Sequence, residues 1–227
     1  MIDEAEVFLR ADEAAVEVFT SIHDDQWDTV LPPVFDMPGA DQPAPLRDVV
    51  DHYAYDNAWV PDMLAGAAMD EVGRDRFNGD LLGADPADAI RRISAAAAAA
   101  AGRVGDPSLV VHCSYGDCPV PDYFWQLNIA RSLTAHDVAA AIGLDYRLPE
   151  ELCQAMYDGT QPTVSIWRSF GVYREPIPVP AGASWRQRFL GLTGRRNDRN
   201  QPRSISDTRN ASSSDCCVFS RGSQAVS

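Results

Sequence analysis

The chain has 227 residues, with 33 acidic against 19 basic side chains, a formal net charge of -14 and no lysine. That length supports one sizeable core, and the charge excludes nucleic acid and anionic membrane surfaces as partners, because phosphate binding needs a basic footprint. No stretch approaches the roughly 18 apolar residues that span a bilayer, and the opening MIDEAEVFLR is acidic where a secretion signal is basic, so a cytoplasmic protein is expected.

Residues 3 to 22, DEAEVFLRADEAAVEVFTSI, place Ala5, Phe8, Ala11, Ala15, Val18, Phe19 and Ile22 toward one side and acids over much of the other. That period predicts a first helix. The prolines of HDDQWDTVLPPVFDMPGADQPAP withhold backbone donors and predict an ordered crossover, with Trp27 and Phe35 as packing anchors. A second helix fits LRDVVDHYAYDNAWV, with Leu46, Val49, Val50, Tyr53, Asn57 and Val60 inward and Pro61 as a kink or restart.

In DPADAIRRISAAAAAAAG, Asp85 caps the free amides, Pro86 suits the first helical position, and Gly102 supplies a stop. The seven alanines have high helix propensity and permit close approach of a neighbour. SLVVHCSYGDCPVP then breaks the period and predicts a strand or hairpin-like connection between helices. A long helix follows from Asp122 to Ile142, in which Trp125, Ile129, Leu133, His136 or Asp137, and Ala140 recur on neighbouring turns before Gly143 stops it.

LPEELCQAMYDGT is a further helix, with Pro149 near its start and Gly159 near its end. QPTVSIWRSFGVY is read as a short helix or irregular segment that buries Trp167, Phe170 and Tyr173. REPIPVPAGASWRQRFLGLTGR turns through prolines into a short helix capped by Ser184, with Trp185, Phe189 and Leu192 as its docking edge. The expected domain is residues 1 to 196; residues 197 to 227 lack a sustained period and are expected to be a disordered tail.

His52 is the first candidate site residue, with Asp48 one turn before it and Asp56 one turn after. A carboxylate four positions away can hold one ring nitrogen and leave the other for a metal or a proton. On the later helix, Arg131, Thr134 and Asp137 form one polar track, and His136 points about 100 degrees away from Asp137. The plainer reading of each is hydrogen bonding within the helical packing. Cys113 and Cys118 have a spacing that some metal ligands share, without a second cysteine pair to complete a zinc site. His112 beside Cys113 is a weak catalytic dyad, because neighbours on an extended segment face opposite ways.

Taken together, LRDVVDHYAYDNAWVPDMLAG, VVHCSYGDCPVPDYFWQLNIARSLTAHDVAAAIG and REPIPVPAGASWRQRFLGLTGR resemble the actinobacterial mycothiol-dependent maleylpyruvate isomerase-like family, within the DinB/YfiT-like group of metalloenzymes. The resemblance spans approximately residues 5 to 195. It implies an all-α fold: a DinB-like four-helix bundle with a short extended connection, a small C-terminal extension and a pocket between helices. It also implies a divalent metal, zinc or similar, with His52 as the first ligand and two further ligands four residues apart on a later helix. Those two positions fall on Ala130 and Thr134, so the ligand pattern is degenerate and His136 is the replacement candidate. The implied activity is a mycothiol- and metal-dependent isomerase or transferase acting on a small electrophile, with Arg131 orienting an anionic substrate and Asp56 supporting it. The alternative is a noncatalytic small-molecule-binding bundle that has lost its metal site. Expected partners are a small thiol or electrophile, and a homodimer is allowed.

Overall fold

The computed structural model describes residues 1–35 and 41–196. Helix α1 (Asp3–Phe19) leads into a crossover whose strand β1 (Val30–Leu31) pairs antiparallel with β2 (Ala44–Pro45) just ahead of α2 (Leu46–Leu64). A short α3 (Met69–Val72) precedes α4 (Pro86–Ala101), and the antiparallel hairpin of β3 (Val110–Cys113) and β4 (Gly116–Pro119) delivers the chain into α5 (Val120–Ala141). Helices α6 (Glu150–Thr160), α7 (Val164–Ser169) and α8 (Trp185–Leu192) follow. The fold of the described residues is therefore mostly helical, with eight α-helices and two small antiparallel sheets. None of the described helices is long and apolar enough to cross a membrane.

The four longest helices pack on one another: α1 lies along α5 and α4, and α2 lies along α4. The apolar stripe of α1 explains this placement, since Ala5, Phe8, Ala11, Ala15, Val18 and Phe19 are all buried. Small residues of α4, Ala97, Ala100 and Ala101, are buried too and let its neighbours come close. The ends follow the cues in the sequence. Asp85 accepts a hydrogen bond from the Asp88 amide at 3.0 Å to cap α4. Gly143 takes φ of 70°, allowing the Leu144 amide to reach back to the Ala139 carbonyl at 2.9 Å and close α5.

Several expectations need correction. Helix α1 ends at Phe19, so Ile22 is buried from the following turn rather than from the helix. Helix α2 continues through Pro61 to Leu64 instead of restarting there. Ala140 is exposed, lying on the outer side of the last turn of α5 while Val138 and Ala139 beside it are buried. Phe170 is 49% exposed beyond the end of α7, while Tyr173 alone of the three aromatics expected there is fully buried. The expected tail, residues 197 to 227, lies outside the described residues. The pairing of β1 with β2 is a feature that the periodicity did not announce.

Gly159 stands near the end of α6, as its position in the sequence suggested, but its role is steric. A Cβ there would fall 2.1 Å from the Trp125 ring of α5. Replacing Gly159 with alanine should therefore lower stability by about 1–3 kcal/mol through overpacking, despite alanine's better helix propensity. Urea unfolding of the Gly159→Ala variant should show a reduced midpoint with an unchanged slope; an unchanged or raised midpoint would remove Trp125 from this contact.

Candidate functional site

The site is framed by a buried polar network that joins the four long helices. Asp12 of α1 accepts hydrogen bonds through one carboxylate oxygen from Tyr53 at 2.8 Å, Asn57 at 2.7 Å and Arg131 Nε at 3.3 Å. Tyr53 and Asn57 come from α2, Arg131 from α5. Ser94 of α4 completes the set, lying 2.6 Å from the Tyr53 hydroxyl and accepting from Asn57 Nδ2 at 3.2 Å. Because the Tyr53 proton is directed at Asp12, the Ser94 hydroxyl donates to the Tyr53 oxygen. The Asn57 carbonyl in turn accepts from Arg131 Nη2.

Arg131 is 2% exposed, and its guanidinium carbon stands 4.6 Å from the Phe8 ring centre and 5.5 Å from that of Tyr53. A buried cation survives only with its charge matched and its donors satisfied, and here Asp12 and the two rings do that work. Burial pushes the Tyr53 hydroxyl well above its ordinary pKa, and the Asp12 charge pushes it further the same way. Tyr53 is thus held as a neutral donor.

Beside this network, α2 and α5 wall a cavity of about 420 Å³. Its α2 wall presents Asp48, Val49, His52, Tyr53 and Asp56; its α5 wall presents Ala130, Arg131 and Thr134. The crossover residues Leu31, Pro32, Pro33, Val34 and Phe35, with Gln42, Pro43 and Ala44, form an apolar roof. The size and the mostly apolar lining suit a small organic guest.

The roof is fastened by arginines of the C-terminal extension. Arg195 donates to the Val34 carbonyl at 2.6 Å and to Asp137 at 3.1 Å, while Arg174 donates to the Pro33 carbonyl. Both partners of the Arg195–Asp137 pair are buried, so the track residue Asp137 serves packing rather than the cavity. Gly194, at φ of 75°, allows the chain to pass Arg174 at this latch, where a Cβ would stand 2.5 Å from the Arg174 Cβ.

His52 and Asp56 both line the cavity, with Nε2 and Oδ2 3.8 Å apart, an ion-pair distance beyond direct hydrogen bonding. Arg131 lines it with a guanidinium already engaged by Asp12 and Asn57. His136 is half-buried on α5 and is absent from the cavity wall. Ala130 and Thr134, the two positions at which the sequence resemblance leads one to expect ligands, line the cavity together with His52. Among the described residues no group of three or more His, Cys, Asp or Glu side chains is arranged to hold a metal ion. His112 pairs with Asp117 at 2.7 Å on one face of the hairpin, whereas Cys113 faces Cys118 on the other, so His112 and Cys113 do not act as a dyad.

The polar network itself escaped the sequence reading. Its signal was a lone acid, Asp12, standing among the stripe positions Phe8, Ala11 and Ala15, and a lone serine, Ser94, between Ile90 and Ala97. Comparison of the chain with protein-family models, curated proteins and solved structures found no match.

Removing one member of the charge pair should be costly. Arg131→Met leaves Asp12 buried without its cation and should lower stability by about 3–5 kcal/mol. Adding Asp12→Leu should return part of that loss, because no uncompensated charge remains. Urea denaturation of the single and double variants reads this coupling; additive losses would contradict it.

Proposed function

We propose that this chain is a small-molecule-binding helical protein whose guest occupies the cavity between α2 and α5. We further read it as a DinB-like four-helix bundle, a relative of the maleylpyruvate isomerase-like family that binds its guest without a resident metal. The observation that carries this reading is that His52 of α2 lines the same cavity as Ala130 and Thr134, one turn apart on α5 and about 80 residues further along the chain. These are the positions at which the family resemblance puts its ligands.

The donor set does not fit the metal that the family implies. Ala130 has no donor atom, and a threonine hydroxyl is not among the ligands that zinc usually takes from proteins. Asp48, His52 and Asp56 lie on successive turns of one helix, so the two carboxylates are separated by a rise of about 12 Å and cannot both join His52 on an ion whose bonds are about 2 Å long. No reaction step is therefore assigned to a bound metal. A mycothiol- and metal-dependent isomerase or transferase would need ligands that residues 130 and 134 no longer supply.

What remains is recognition chemistry. The proline-rich roof and Val49 offer apolar contact, His52 and Asp56 offer hydrogen-bonding groups, and Thr134 adds a hydroxyl. Arg131 acts chiefly as a fixed wall, because its charge is balanced from behind by Asp12.

Two experiments test this reading. Calorimetric titration with a panel of small thiols and small carboxylates should reveal saturable binding that a chelator leaves unchanged and that Val49→Trp, which fills the cavity, weakens at least about tenfold. Absence of binding across the panel, or binding abolished by the chelator, would contradict it. Separately, Ala130→Glu combined with Thr134→His should create a site for about one zinc per chain together with His52. That zinc should be lost again on His52→Ala; failure to gain metal would show that these three positions do not share a centre.

A further inference from the structure

The β3–β4 hairpin carries a second chemical feature, away from the α2–α5 cavity. Cys113 and Cys118 lie on the same face of the hairpin, one register step apart diagonally, with their sulfurs 3.7 Å from each other. Both are half-buried, and the Tyr115 hydroxyl stands 3.8 Å from the Cys118 sulfur. Cys153, by contrast, is fully buried in the core. We propose that Cys113 and Cys118 form a reactive dithiol that reduces small, neutral or cationic disulfides and closes into a disulfide across the hairpin.

The two sulfurs are inequivalent. The hydrogen bond from Cys113 lowers the Cys118 thiol to about 7, with help from Tyr115 and against its partial burial and the charges of Asp122 and Asp117. The same contact with Cys118, together with burial, raises Cys113. Cys118 is therefore the attacking thiolate and Cys113 the resolving thiol. Tyr123 also packs close by and stays protonated, because burial raises it. His112 is turned to the other face and pairs with Asp117.

In the first step the Cys118 thiolate attacks one sulfur of the external disulfide, a mixed disulfide forms, and one thiolate leaves. In the second, Cys113 loses its proton to solvent and attacks the Cys118 sulfur; the Cys113–Cys118 bond forms and the second thiolate leaves. The protein dithiol is oxidised by two electrons, and one disulfide becomes two thiols. The sulfurs begin in van der Waals contact, 3.7 Å apart, and must approach to about 2.05 Å, a closure that requires side-chain rotation and a small shift of the hairpin backbone. Asp117 and Asp122 beside the site, within a strongly acidic chain, disfavour anionic disulfides and define the charge of the substrate class.

The test uses the full chain with Cys216→Ser and Cys217→Ser, reduced, desalted and exposed to the cationic disulfide cystamine at pH 7. Peptide mapping by mass spectrometry should find a Cys113–Cys118 link, a loss of two hydrogens, and an unmodified Cys153. In Cys113→Ser, Cys118 should be trapped as a stable cysteamine adduct, forming at least about tenfold faster than the adduct on Cys113 in Cys118→Ser. Absence of the link, lasting adducts on both cysteines of the parent chain, or faster reaction at Cys113 would overturn the proposal.

Discussion

The contact between Asp12 and Arg131 is the constraint on which the arrangement of the long helices rests. One carboxylate oxygen takes donors from α2 and α5 at once, and Ser94 extends the set to α4. Each helix therefore has a polar atom whose burial is tolerable in one relative placement and costly in others. Apolar stripes alone permit helices to slide and rotate with modest loss, since hydrophobic burial has little direction. A network whose members are all hydrogen-bonded removes that freedom. The stacking of Arg131 between Phe8 and Tyr53 joins the network to the apolar core instead of leaving a polar hole in it.

The cavity follows from this placement. With Arg131 and Tyr53 fixed on its inner side, α2 and α5 line two sides of the space, and the prolines and Phe35 of the crossover line another. Prolines suit a roof, because they present apolar surface and have no amide to leave unsatisfied. The Pro33 and Val34 carbonyls are met by Arg174 and Arg195, so the C-terminal extension completes the site from the far end of the chain.

Much of the scaffold was legible in the residues. The stripe of α1, the Asp85 cap, the Gly143 stop and the strand-like VVHC run all act over short sequence distances, where period and turn chemistry dominate. Less of the site was legible. Arg131 reads as a free cation awaiting an anionic guest until its partner, 119 residues away, is known. Phe170 reads as core because it is aromatic, yet it is exposed in the turn before Gly171, and burial resumes only at Tyr173. The roof latch is invisible for a different reason: its acceptors are main-chain carbonyls, which every residue has. Histidines 52 and 136 look equivalent in a composition count, and helical angle separates them, placing one on the cavity wall and the other off it.

The exchange behaviour of the Arg131 Nε–H proton tests the central claim most directly. Nitrogen-15 NMR of the intact protein should show a resolved guanidinium Nε–H signal, assigned by its loss in Arg131→Met, whose proton exchanges with solvent orders of magnitude more slowly than those of surface arginines. An Arg131 signal that exchanges as fast as that of an exposed side chain would mean that the guanidinium is not enclosed by Asp12, Asn57 and Phe8, and the helix arrangement described above would not stand.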